Sequence, residues 1–173
     1  GTTAVVQGAG GLGHIGIQSL KAITSARVIV VDRNPAALEL AKQIGADEAV
    51  VADGSHVEAV KDLTEGKGAD VVFDFVAEQG AELDGWAMTA PAGYQYIIGY
   101  GGQFVAPTLD FVAGEKSVIG NIVGTYNDLA ELMVLAQAGK VTLHTQKYAL
   151  TDALKALADL DAGNVRGRAI LVP

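Results

Sequence analysis

The sequence contains no cysteine. That excludes a disulfide framework and any thiolate-held zinc within these residues, and it fits a reducing compartment, so a cytoplasmic setting is expected. Positive charge is scarce: 12 Lys and Arg stand against 20 Asp and Glu, a net charge of −8. A domain so balanced offers no broad basic surface to nucleic acid or to an anionic membrane, and neither is an expected partner. No apolar run reaches the roughly 18 residues that a membrane-crossing helix needs. No signal-peptide pattern is present either. Proline is sparse at 4 residues and aromatics make up 6%.

What is abundant is glycine, 22 residues, within a chain of 173 that is 50% hydrophobic. That length suits one domain with a sizeable core, and the glycines suit tight turns between regular elements. The chain opens at Gly1-Thr2-Thr3-Ala4-Val5-Val6, straight into a strand pattern and without Met. An excised or incompletely represented domain is therefore expected.

Apolar runs predict strands at 3–7, 27–32, 49–52, 70–76, 94–99, 117–123 and 169–172. Helical spacing links Leu12, Ile15, Gly16, Leu20 and Ile23. Asn34-Pro35 reads as a cap and first helical residue, and Gly45 as the stop. Ser55 and Glu58 have the spacing of a capping box. Further helices are predicted around Leu83 and Trp86, over 129–138, and from Thr151 to Leu160. Pro91-Ala92-Gly93 reads as a break before the fifth strand, and 101–116 as irregular. Strands alternating with helices predict an α/β fold with a parallel sheet covered on both faces.

Gly8-Ala9-Gly10-Gly11-Leu12-Gly13 is G-x-G-x-x-G, set between the first strand and the first helix. Asp32 lies 19 residues past Gly13, at the end of the second strand. This spacing has a physical reason. Gly8 permits the turn, Gly10 lets backbone approach a pyrophosphate, and Gly13 lets helix pack on strand. The helix start then offers free N–H groups to phosphates, and Asp32 can accept from ribose hydroxyls. A doubly wound six-stranded Rossmann sheet in the order 3-2-1-4-5-6 is predicted, with NAD as the ligand. An S-adenosylmethionine methyltransferase also uses a Gly-rich first loop, but Gln7 stands where such loops usually carry an acid.

His14 reads as a first-turn residue near the phosphates or a cleft rather than a catalytic base. His56 and His144 read as isolated and exposed. Asp70, Asp74 and Glu78 could pair for acid–base work, though their strand-end positions suit solvation or loop anchoring. Trp86, Met88 and Met133 read as core or half-core.

The segments GAGGLGHIGIQ, VDRN, IGAD, DVVFDFVA and NVRGRAILVP together resemble the zinc-dependent medium-chain alcohol dehydrogenases, and most closely the bacterial secondary-type NAD-dependent enzymes. The resemblance covers essentially the whole chain. It implies a C-terminal NAD-binding domain in which Gly8, Gly10, Gly11, Leu12 and Gly13 hold the pyrophosphate. Asp32 takes the ribose, with Arg33 beside the adenine and Val76 and Ala77 at the second ribose and adenine edge. Ile98, Gly99 and Tyr100 then lie against the nicotinamide, the backbone of Asn121, Ile122 and Val123 holds the carboxamide, and Arg168 reaches back to the pyrophosphate.

The family's zinc belongs to a catalytic domain that is not among residues 1–173. No catalytic residue or zinc ligand is assigned, and the chain alone is expected to be inactive toward alcohols. An alcohol or ketone substrate and a homodimer or tetramer are the implied partners. A non-catalytic module that senses NAD or NADH remains the alternative.

Overall fold

The computed structural model describes residues 1–173. In chain order the elements are β1 (Thr3–Gln7), α1 (Gly13–Ile23), β2 (Arg27–Asp32), α2 (Pro35–Gln43), β3 (Glu48–Val51), α3 (His56–Leu63), β4 (Ala69–Asp74) and α4 (Ala81–Met88). They continue with β5 (Thr89–Ile97), α5 (Thr108–Gly114), β6 (Ser117–Gly120), α6 (Tyr126–Gln137), β7 (Thr145–Ala149), a 3-10 turn at Leu150–Asp152, α7 (Ala153–Asp161) and β8 (Arg168–Val172).

Six strands form one parallel sheet in the order β3-β2-β1-β4-β5-β6, as the sequence predicts. The chain switches direction between β1 and β4, and such a switch opens a crevice at the C-terminal ends of the strands. Alternation along β1 and β2 divides the core. Val6, Val28 and Val30 point to one face and pack with Ile17 of α1 and Leu38 and Ala41 of α2. Val5, Ile29 and Val31 point to the other and pack with Val60 of α3 and Met88 of α4. Both faces are dry, so these strands read as unbroken apolar runs.

Several local expectations are corrected. The buried face of α1 is Gly13, His14, Ile17 and Gln18, while Leu12 and Ile23 are exposed. Two polar residues take inward positions because the segment leading into β7 meets them, Thr142 at Gln18 and His144 at His14. The Ser55–Glu58 capping box does not form, because Asp53 takes both the Ser55 backbone N–H at 2.9 Å and its hydroxyl at 2.7 Å. Pro91 does not break β5, which runs through it opposite a register shift between Ala69 and Val71. The stretch 101–116 holds the short helix α5. Strand β8 joins β7 in a separate parallel pair, Thr145 opposite Arg168, and stands apart from the main sheet. Met133 is half exposed on α6.

Candidate functional site

A cavity of about 650 Å³ opens at the switch between β1 and β4, and the glycine loop forms one wall of it. Gly8, at φ +89, turns the chain out of β1. A Cβ on Gly13 would strike the Gly8 carbonyl oxygen, so the start of α1 sits directly on the turn. At Gly10 the situation reverses, since an added Cβ meets nothing within 4 Å. Gly10 is open because the space beside it is cavity rather than protein. The backbone N–H groups of Gly10, Gly11 and Leu12 have no protein acceptor, whereas that of Ala9 is held by Asp32 at 2.7 Å. Three adjacent free donors at the positive end of α1 form a cradle for an anion.

Asp32 stands beside this cradle. Its carboxylate accepts from the N–H of Ala9 and of Asn34, each at 2.7 Å, one on each oxygen. A carboxylate has about four acceptor sites, so two stay free on a residue that lines the cavity. Arg33 also lines the cavity, its guanidinium donating to Gln79 at 3.4 Å. Arg168, the first residue of β8, lies across the loop, and a Cβ on Gly11 would strike its guanidinium. Val76 lines the cavity after β4. Ala77 is buried behind it. Gly8, Gly10, Gly11, Leu12, Gly13, Asp32, Arg33, Val76 and Arg168 therefore meet around one cavity.

The other residues assigned to the site lie elsewhere. Ile98, Gly99 and Tyr100 follow β5, and Asn121, Ile122 and Val123 follow β6, all at the same end of the sheet. They do not line the cavity. Tyr100, Ile122 and Val123 are almost fully exposed.

The cavity also contains residues with no sequence signal. His56 is buried rather than exposed, and its Nε2 lies 3.1 Å from Asp84 Oδ2 across the gap between α3 and α4. Both residues line the cavity together with Gln7, Gln79, Ala52 and Leu160. His144, also read as isolated, lies edge-on to His14 with ring centroids 5.8 Å apart.

Asp74 ends β4 as a loop anchor. Its Oδ1 accepts from Val76 N–H and Ala77 N–H at 2.9 Å each. Burial raises its pKa above the ordinary carboxylate value; the two N–H bonds oppose the shift, and the nearby charges of Glu82 and Asp84 add to it. Asp70 is exposed, and its carboxylate accepts from Thr3 N–H. Glu78 lines the cavity mouth. Asp70 and Asp74 are thus committed to backbone, which suits anchoring rather than acid–base work.

Fold and cavity are those of a Rossmann domain. The alcohol dehydrogenase of the hyperthermophilic archaeon Aeropyrum pernix superposes with a TM-score of 0.97 at 39% identity, matching 100% of this chain and 50% of that one. The profile of the zinc-binding dehydrogenase family matches residues 11–138, and the chain belongs to that family. An NAD-dependent alcohol dehydrogenase from Sulfurisphaera tokodaii is 34% identical over 99% of this chain and 50% of its own length. D-arabinose 1-dehydrogenase (NADP(+)) from Saccharolobus solfataricus is 31% identical over 98% of this chain and 49% of its own. The chain spans about half the length of these curated relatives. No group of three or more His, Asp or Glu side chains is arranged to hold a metal, so the residues present do not fit the family's zinc.

Proposed function

We propose that residues 1–173 are the cofactor-holding domain of an NAD-dependent alcohol dehydrogenase, working with a zinc-binding substrate domain outside this sequence. One observation carries the proposal: Gly10, Gly11 and Leu12, whose N–H groups have no protein partner, line the same cavity as Asp32. Free donors suit a diphosphate, and an acceptor beside them suits the hydroxyls of an adjoining ribose. Family membership supports the dehydrogenase assignment over a methyltransferase.

Each residue then has a role. The glycine loop binds the diphosphate, and Arg168 lies close enough to neutralise it. Asp32 orients the ribose, and Arg33 flanks the base. Val76 and Ala77 form the apolar edge after β4. Ile98, Gly99, Tyr100, Asn121, Ile122 and Val123 stand at the C-terminal ends of β5 and β6, where the nicotinamide end of an extended dinucleotide would lie. The bound cofactor supplies the hydride chemistry, while the chain supplies binding and orientation. An alcohol or its ketone or aldehyde is the proposed substrate of the whole enzyme, and the relatives' names support it. A homodimer or tetramer in the cytoplasm belongs to the same proposal, as does the inactivity of this chain alone toward alcohols.

Two glycine variants separate binding from folding. Gly10→Val puts a side chain into open cavity at a residue without a positive φ. It is expected to melt like wild type and to bind NADH at least about tenfold more weakly. Gly13→Val drives the same side chain into the Gly8 carbonyl and is expected to lower the melting temperature sharply. NADH fluorescence titration with thermal melts checks both. Unchanged NADH affinity in Gly10→Val would remove the loop from the site.

A further inference from the structure

We infer that His14 is a positioning residue that aims the Gly11 N–H into the cavity and ties Arg168 to the same loop. The inference rests on the diphosphate assignment of the cavity proposed above. His14 is fully buried in the first turn of α1. Its Nδ1 lies 2.9 Å from the Gly10 carbonyl oxygen, which also accepts the His14 backbone N–H at 3.1 Å. On the other side of the ring, the His144 backbone N–H donates to Nε2 at 3.3 Å.

That last contact fixes the tautomer. A backbone N–H only donates, so Nε2 must carry the lone pair, and the ring proton must sit on Nδ1 and point at Gly10. The Gly10 carbonyl is thus gripped twice by one residue. In a trans peptide the C=O and the following N–H point in opposite directions. Holding the Gly10 carbonyl toward α1 therefore turns the Gly11 N–H away from the helix, as a free donor to an anion. Gly10 and Gly11 have no side chains to restrict them, and such a pair would otherwise sample many orientations. His14 supplies the restraint that the loop's own residues lack.

The same ring reaches the second anion-binding group. The His144 carbonyl accepts the backbone N–H of Arg168 at 2.9 Å. A continuous path thus runs from Gly10 through His14 and His144 to Arg168. Gln18, one turn further along α1, braces it by exchanging two hydrogen bonds with Thr142, at 2.8 and 3.0 Å. The loop and the backbone that carries Arg168 are held in register although Gly11 and Arg168 lie 157 positions apart.

Three variants of the full 173-residue chain dissect the two sides of the ring. His14→Asn places an amide near Nδ1 and keeps a donor for Gly10. His14→Gln reaches toward His144 and loses Gly10. His14→Leu loses both. Binding of NADH, ADP-ribose and adenosine is followed by amide NMR titration, with thermal melts alongside.

In His14→Leu, NADH and ADP-ribose are expected to weaken about tenfold, the size of one net hydrogen bond, while adenosine is unchanged. His14→Asn should recover most of that loss and His14→Gln little of it. Unchanged NADH affinity in His14→Leu, an equal loss for adenosine, or equal behaviour of the Asn and Gln variants would overturn the role of His14. A wild-type chain that binds adenosine but gains nothing from the diphosphate of ADP-ribose would instead overturn the cavity assignment, and the role of His14 with it.

Discussion

At the scale of single residues, Asp32 serves the fold, and the proposed function gives it the choice of cofactor as well. Its two oxygens close the turns after β1 and β2 by taking the N–H of Ala9 and Asn34. Those two bonds hold the carboxylate at the strand end with little freedom to retreat. Arg33, by contrast, is exposed and makes only a 3.4 Å contact with Gln79. The similar proteins include both an NAD-dependent and an NADP(+) enzyme, so the choice is a property of side chains rather than of the fold. A 2′-phosphate beside Asp32 would meet a like charge and lose the acceptors that a ribose hydroxyl finds. A hydrogen bond to a charged group contributes roughly 1.5–3 kcal/mol, so NADH should be preferred over NADPH on the order of a hundredfold. Asp32→Ser is expected to narrow that ratio from both sides, with Arg33 free to meet the phosphate. It should also lower the melting temperature, because two backbone N–H groups lose a charged acceptor. Titrating wild type and variant with both reduced cofactors checks the ratio independently of the stability loss. Equal binding of both by wild type would assign the choice to Arg33.

At the scale of elements, the β4–α4 connection turns on Asp74, whose Oδ1 holds Val76 and Ala77 while Oδ2 is buried without a partner. Burial outweighs those two bonds and raises the pKa. A carboxyl raised in the folded state contributes its full stability below the ordinary carboxylate range, and that contribution is lost as pH rises through the raised value. Above the ordinary carboxylate range the carboxyl is therefore a burden, because burial resists its ionisation. Asp74→Asn keeps an acceptor for both N–H groups and removes the charge. Its new donors meet a neighbourhood of unpartnered acceptors that includes Gln7 Oε1, on its register partner in β1. The variant should melt higher than wild type at pH 7, with the gap closing toward about pH 4. Asp74→Ala should lose about 1–3 kcal/mol by orphaning the two N–H groups. Thermal melts across pH check this, and an Asn variant as unstable as Ala at pH 7 would count against it.

The same scale explains what was legible in the sequence. β1 and β2 are buried on both faces, so their continuous apolar runs announce them, and the G-x-G-x-x-G turn with Asp32 follows from spacing alone. What stayed illegible depends on partners distant in sequence. His56 is buried because α3 meets α4, which brings Asp84 to it from 28 residues away. The inward positions of His14 and Gln18 on α1 answer to His144 and Thr142, which no local periodicity can reveal. α5 has no buried residue and hence no apolar stripe to read.

At the scale of the whole molecule, the two edges of the main sheet are unlike, and the difference predicts how copies assemble. β3 forms one edge, and its Glu48 is paired with both Arg27 and Lys42. Charge along an edge is a common guard against pairing. β6 forms the other edge and reads Ser117-Val118-Ile119-Gly120, without a charge. In sequence, exposed Val105, Leu109 and Val112 precede it and exposed Ile122, Val123 and Tyr126 follow it. Unpaired backbone between apolar flanks invites a second strand, and a second copy of β6 related by a two-fold axis would extend the sheet. The N–H of Asn121 points inward to Ile97. By strand alternation Ile119 also points inward, while Val118 and Gly120 present their N–H groups to the open edge. Val118→Pro therefore removes an outward donor without breaking a bond inside the sheet. Wild type is expected to sediment as a dimer at tens of micromolar, and Val118→Pro to weaken that dimer at least about tenfold while melting cooperatively. Because β3 carries the guard and β6 does not, reversing the charges on Glu48 should leave the dimer intact. A wild-type chain that is strictly monomeric at that concentration, or a dimer indifferent to Val118→Pro, would show that the β6 edge is not where copies meet.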